Sequence, residues 1–175
     1  MQQEKKYIPF EQIKITDRQW PDKTITKAPV WCSVDLRDGN QALPMPMNPE
    51  KKLEYFKLLC AIGFKEIEVS FPSASQDDFD FVRNLIEKKE IPSDVRISVL
   101  TQAREPLIRR TVESLVGVEK AILHLYVATS DLHEQIVFGK THEETMKMAV
   151  EGTKLVRRCL KEYGLEGKVA YEFSP

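Results

Sequence analysis

From Val30 onward, short runs rich in β-branched residues alternate with stretches whose apolar residues recur at helical spacing, and few folds accept such an alternation. It is the pattern of βα units wound around a parallel sheet. Strands are expected at Val30–Val34, Lys65–Ser70, Val95–Leu100, Ala121–Ala128 and Val169–Phe173. Between the first two, Asn48 can cap a helix that opens with Pro49, carries Leu53, Phe56, Leu59 and Cys60 on one stripe and stops at Gly63. Ser75 and Asp78 give a capping-box-like start to a second helix, with Phe79, Val82, Leu85 and Ile86 inward. A third runs from about Arg104 to Val116 with Leu107, Ile108, Val112 and Leu115 on its apolar side. Thr141 and Glu144 form a full capping box for a long fourth helix, whose stripe of Met148, Ala149, Gly152, Val156, Cys159, Leu160 and Tyr163 ends at Gly164.

Residues 1–29 lack this rhythm. They are polar, interrupted by Pro9, Pro21 and Pro29, and read as an extended arm lying over a domain of residues 30–175, with a turn at Trp20-Pro21-Asp22-Lys23. Five strands do not close a barrel of eight, and a doubly wound sheet of five would ordinarily end with a helix over its last strand. The expected fold is therefore α/β, a partial TIM barrel of about five parallel strands cut after the fifth.

A chain of 175 residues, 42% hydrophobic, can bury a single core. Its 26 basic and 27 acidic side chains leave a net charge of −1, which favours small-molecule or protein partners over nucleic acid. Cys32, Cys60 and Cys159 are odd in number, widely spaced and set among apolar residues, which fits reduced core thiols in the cytosol better than disulfides or zinc. No leader segment is evident, and no run approaches the roughly 18 apolar residues that span a bilayer. The expectation is a cytoplasmic protein without a membrane partner. No GxGxxG or GxxxxGK run marks a nucleotide site.

The chemistry concentrates in Val34-Asp35-Leu36-Arg37-Asp38-Gly39-Asn40-Gln41, where an apolar strand breaks into a glycine turn. The break sets Arg37 and Asp38 at a strand's carboxyl end, the place where barrels and open α/β sheets gather ligands. An ionised Asp38 is a hard oxygen ligand suited to Mg²⁺, Mn²⁺ or Zn²⁺, and Arg37 is a permanent cation able to stabilise an enolate or alkoxide. The same composition also suits a solvated loop held by Asx hydrogen bonds. Glu68, within Ile67-Glu68-Val69-Ser70-Phe71-Pro72, would be costly to enclose without a cationic partner, and Arg37 is available for that part. By alternation His124 shares a strand face with Ile122 and Tyr126; a lone strand histidine is also compatible with a satisfied core position. His133, in a polar loop, and His142, in the first turn of the long helix, suit surface roles.

The string Asp35-Leu36-Arg37-Asp38-Gly39-Asn40-Gln41-Ala42-Leu43 resembles the signature of the pyruvate-carboxyltransferase-like barrels: isopropylmalate, homocitrate and citramalate synthases and hydroxymethylglutaryl-CoA lyases. It is most similar to the long form of 2-isopropylmalate synthase, whose Arg-x-Trp-Pro-Asp arm is matched by Arg18-Gln19-Trp20-Pro21-Asp22. The resemblance implies a metal on Asp38, a catalytic Arg37, and a keto-acid pocket lined by Gln41, Glu68 and His124. It also sets Glu172, in Tyr171-Glu172-Phe173-Ser174-Pro175, toward the active centre as a second catalytic group. It implies condensation of acetyl-CoA with 3-methyl-2-oxobutanoate in leucine biosynthesis, and a homo-oligomeric enzyme.

The two histidines of the family's His-x-His strand do not occur in these residues. The expectation is thus an arm plus slightly more than half of a catalytic barrel, with negligible activity alone. The alternatives are a homocitrate or citramalate synthase, or a non-catalytic part-barrel that pairs its open edge and uncovered apolar face with another copy or a companion fragment.

Overall fold

The computed structural model describes residues 16–17 and 27–175, so most of the arm expected over residues 1–29, including its Trp20-Pro21 turn, lies outside the described residues. Five strands form one sheet in sequence order, every neighbouring pair parallel: β1 (Cys32–Ser33), β2 (Glu66–Ser70), β3 (Arg96–Gln102), β4 (Ala121–Tyr126) and β5 (Val169–Ser174). Four helices alternate with them: α1 (Pro49–Ile62), α2 (Gln76–Glu87), α3 (Glu105–Ser114) and α4 (His142–Glu162).

The capping residues set the helix starts. Asn48 accepts from the Lys51 amide ahead of Pro49, Ser75 accepts from the Asp78 amide, and Thr141 with Glu144 closes a reciprocal box. Gly63 ends α1 at φ 111°, a conformation that suits a residue without Cβ.

One sheet face carries Ile67, Val69, Ile97, Val99, Leu123 and Leu125 into a core shared with Phe56, Leu85, Ile108, Val112 and Val156 of the helices. Lys52 is buried in α1 as well, paired with Asp78 at 2.7 Å and lying over the Phe81 ring, a position the apolar stripe did not foretell. Gly152 brings α4 against the sheet: a Cβ there would lie 2.9 Å from the Ala103 Cβ.

The other face is not the uncovered apolar surface expected of an orphan part-barrel. Alternation and register give it Glu66, Glu68, Ser98, Gln102, His124, Tyr126, Glu172 and Ser174, with Leu100 and Ile122 as buried apolar residues among them.

Four further expectations need correction. The first strand is only two residues long, with Val30 and Trp31 exposed, and it stops at Ser33 because the backbone turns there onto the Val34 carbonyl. The Asp-Gly pair makes no glycine turn: Asp35–Gly39 is a π-helical turn in which the amides of Arg37, Asp38 and Gly39 converge on the Val34 carbonyl, and no positive φ is required of Gly39. Of the cysteines, Cys159 alone is buried, while Cys32 is exposed; all three are free. A second π-helical turn, His133–Phe138, occupies the stretch read as a polar loop. No helix among the described residues is long and apolar enough to cross a membrane.

Candidate functional site

Two local irregularities aim the site. The π-helical turn after β1 tightens the backbone so that Arg37 leans over the tip of β2 while Leu36 anchors the turn in the core. In β2, Glu68 pairs with Ser98 but Ser70 pairs with Val99, so the strand carries a bulge just past Glu68. Glu68 stays on the inner face, and Ser70 turns toward α2, where its hydroxyl donates to the Asp78 carbonyl at 3.0 Å.

A continuous polar chain results. Arg37 Nε donates to Glu68 Oε1 at 2.5 Å and its Nη1 to Asp38 Oδ1 at 2.8 Å. Glu68 Oε2 lies 2.7 Å from His124 Nδ1, and His124 Nε2 lies 2.6 Å from Ser174 Oγ. Glu68 is buried, at 2% exposure, so its charge survives only because the Arg37 guanidinium and the His124 ring face it. Burial pushes its carboxyl up, but the hydrogen bonds from His124 and Arg37 outweigh this and hold it below the ordinary glutamate range. The His124 ring is raised in turn, first by its hydrogen bond to Glu68, against the opposing effect of desolvation. In the protonated ring both nitrogens donate, Nδ1 to Glu68 and Nε2 to Ser174. The Cys32 thiol near Glu68 is pushed up to about 11, by desolvation first and the glutamate charge second, which makes it a poor nucleophile at neutral pH.

The expected site residues divide. Arg37, Asp38, Glu68 and His124 are joined by direct contacts. Glu172 is the register partner of His124, yet its carboxylate stands 4.0 Å from His124 Nε2 and is half exposed, so it is not an enclosed carboxylate. Fraying does not displace it, because β5 pairs through Ser174. Gln41 is exposed and lines, with Arg37, a neighbouring cleft of about 350 Å³ to which His124 does not contribute. His133 and His142 are exposed as expected, though His142 Nδ1 also meets the buried Glu134 at 3.1 Å.

Sequence reasoning missed Ser174, whose place on the face of His124 follows from the alternation that starts at Glu172. It also missed the pair in which Gln102 Nε2 donates to the Tyr126 hydroxyl at 2.6 Å. As a metal site the described residues do not suffice. Asp38, 65% exposed in its side chain, has Arg37 beside it, and no group of three or more His, Cys, Asp or Glu converges among the described residues, where about three protein ligands are wanted.

Comparison with known proteins gives a consistent setting. The chain matches the HMGL-like family over residues 28–175. It is 57% identical over 175 residues to the 2-isopropylmalate synthase of Schizosaccharomyces pombe, covering 98% of this chain and 30% of that protein. The corresponding figures are 52% over 172 residues, with 97% and 31% covered, for the Clostridium acetobutylicum 2-isopropylmalate synthase. For the Thermobifida fusca 2-isopropylmalate synthase they are 57% over 171 residues, with 97% and 30% covered. The chain thus spans about three-tenths of the length of the curated relatives it matches. A crystal structure of Bacillus subtilis HMG-CoA lyase superposes with a TM-score of 0.55 at 20% identity, covering 82% of this chain and 46% of that one, a likeness of fold.

Proposed function

The chain belongs to the HMGL-like family, and on that premise we propose that it supplies the keto-acid end of a 2-isopropylmalate synthase active centre, in an enzyme that condenses acetyl-CoA with 3-methyl-2-oxobutanoate. The observation that carries this reading is the unbroken Asp38–Arg37–Glu68–His124 chain at the carboxyl ends of parallel strands. Glu68 and Asp38 engage two of the guanidinium donors of Arg37 and leave the rest for an anionic oxygen. Arg37 then binds the substrate carboxylate or the oxyanion that develops on the keto carbonyl, with Glu68 fixing its angle.

Proton movements fall to the other two groups. Glu172 has no cation within ion-pair distance among the described residues except His124, at the 4.0 Å limit, and it is proposed as the acceptor of the acetyl methyl proton. The resulting carbanion adds to the keto carbon, and His124, whose proton Glu68 stabilises, supplies a proton to the alkoxide. Water then cleaves the thioester and CoA leaves as the free thiol. A divalent ion of the Mg²⁺, Mn²⁺ or Zn²⁺ class, proposed for the whole enzyme, finds a single candidate ligand here in Asp38, so the chemistry assigned to this chain is that of its own side chains.

Leu100, the register partner of His124, and Ile122 form the apolar part of the inner face, which suits an aliphatic keto-acid tail better than the carboxylate-bearing tail of 2-oxoglutarate. The test is a chimera in which the first three-tenths of a 2-isopropylmalate synthase is replaced by this chain. Free-thiol release should be fastest with 3-methyl-2-oxobutanoate and slower with pyruvate or 2-oxoglutarate. A chimera that folds but prefers either of those acids overturns the substrate assignment.

A further inference from the structure

Ser174 is the one member of the inner-face polar chain to which the condensation assigns no part. Its Oγ lies 2.6 Å from His124 Nε2, while the opposite ring nitrogen, Nδ1, lies 2.7 Å from Glu68 Oε2. An ionised carboxylate can only accept, so in the neutral ring the proton sits on Nδ1 and Nε2 is left to accept from the Ser174 hydroxyl. A hydroxyl bonded to a histidine that a buried carboxylate holds in one tautomer is the arrangement that activates a serine as a nucleophile. The three residues come from β5, β4 and β2, so paired strands and not a loop set their geometry. Ser174 is itself only partly buried, which leaves it open to a reagent.

The surroundings fit that part. Arg37 engages Glu68 through Oε1 and leaves Oε2 to the ring. Glu172 stands 4.0 Å from His124 Nε2, outside hydrogen-bond reach, so Ser174 keeps that nitrogen. Tyr126 is the register partner of both Gln102 and Ser174, on strands spaced about 4.8 Å apart. Gln102 Nε2 donates to the Tyr126 oxygen at 2.6 Å and so leaves the phenolic proton for another acceptor on this face. Leu100, in register with His124, and Ile122 supply an apolar wall.

We propose that Ser174, His124 and Glu68 form a catalytic triad that hydrolyses short-chain carboxylic esters, an activity separate from the condensation. His124 Nε2 takes the Ser174 proton as Oγ bonds the acyl carbon, and Tyr126 donates to the oxyanion that forms. The bond from the acyl carbon to the alcohol oxygen breaks, and the alcohol leaves with the proton from His124. Water then gives a proton to His124 while its oxygen bonds the acyl carbon. The bond to Oγ breaks, Ser174 regains its proton from His124, and the carboxylic acid departs. The acyl chain lies against Leu100 and Ile122, which favours a short aliphatic group. The triad shares Glu68 and His124 with the keto-acid site but calls on neither Asp38 nor the free donors of Arg37, so it does not require that reading.

The test mixes the chain with 4-nitrophenyl acetate and follows 4-nitrophenolate release, net of release in buffer. The acetyl group is then mapped in the acid-quenched chain by tandem mass spectrometry of the tryptic peptide 169–175. It should sit on Ser174. Release should rise with pH through the midpoint at which the His124 ring loses its proton, read by NMR on the same chain; Glu68, Glu172 and Arg37 are the charged groups that face this ring. Ser174→Ala and His124→Gln should each slow release by about 100-fold or more. Cys32→Ser should leave it unchanged, which separates the serine from the exposed thiol. Mapping on the unmodified chain keeps its meaning should His124→Gln fold poorly. Acetyl groups found only on lysines or Tyr171, undiminished release by folded Ser174→Ala, release no faster than in buffer, or a rate indifferent to the His124 midpoint would overturn the proposal.

Discussion

Glu68 on β2 bonds His124 on β4 at 2.7 Å across the intervening strand β3. The reach is possible because the residue of β3 in register with Glu68 is Ser98, small enough to leave the inner face open between two longer side chains. The pair therefore records the curvature of the sheet as well as its chemistry.

That pair makes stability depend on pH in a defined sense. The raised His124 contributes stability that is complete below its unfolded value of 6.5 and is lost as pH rises through its folded value, while the lowered Glu68 contributes stability that is complete above its unfolded value of 4.5 and is lost as pH falls through its folded value. Urea unfolding of Glu68→Gln should show a deficit of roughly 3 kcal/mol that is greatest between those two values and shrinks on either side. A deficit that does not change with pH would show that packing, not charge, dominates.

His124 should titrate under the control of two carboxylates of unequal weight. Following its ring resonances by NMR, Glu68→Gln should lower the midpoint by more than Glu172→Gln does, since Glu68 bonds the ring directly and Glu172 acts through space. The reverse order would show that the half-exposed carboxylate sits closer in solution.

Arg37→Lys removes the forked geometry but keeps the charge, so an intact enzyme carrying it should lose about 100-fold or more in kcat/KM. Asp38→Asn keeps the shape and removes the anion. It should abolish whatever Mn²⁺ broadening the chain shows around residues 37–39, and that broadening should be weak, because one ligand alone holds a divalent ion poorly.

Gly152→Ala should destabilise the fold by about 1–3 kcal/mol, since the new methyl would lie 2.9 Å from the Ala103 Cβ and 3.3 Å from Leu125 Cδ2, and the first of these cannot rotate away. Thermal unfolding measures it, with Thr141→Ala, expected to cost about 1 kcal/mol through loss of the capping box, as a comparison on the same helix.

The layered α/β order was legible because hydrophobic period and capping residues are local signals: Asn48, Ser75 and Thr141 each begin the helix they were expected to begin. The Arg37–Glu68 contact was legible through cost, since an enclosed glutamate needs a cation and one lay at the neighbouring strand tip. Less could be read where geometry depends on what lies next door. Lys52 is buried because Asp78 and Phe81 meet it from α2, a fact written on the next helix and not in its own apolar stripe. Both π-helical turns escaped notice, since one added residue per turn leaves no periodicity to detect. The position of Gln41 depends on how the backbone turns after β1, and the exposure of Glu172 on its place in the edge strand β5, neither of which residue type encodes.

The extra residue in β2 has an evolutionary corollary. Because the extra residue lets Val69 and Ser70 both lie on the helix side of β2 while Glu68 looks inward, removing Val69 would straighten the ladder with Ser70 still opposite Val99, but would empty the place that Val69 fills in the core. Insertions and deletions should therefore be tolerated in the connections, while this stretch keeps an aliphatic residue at 69 between its inward carboxylate and its outward hydroxyl.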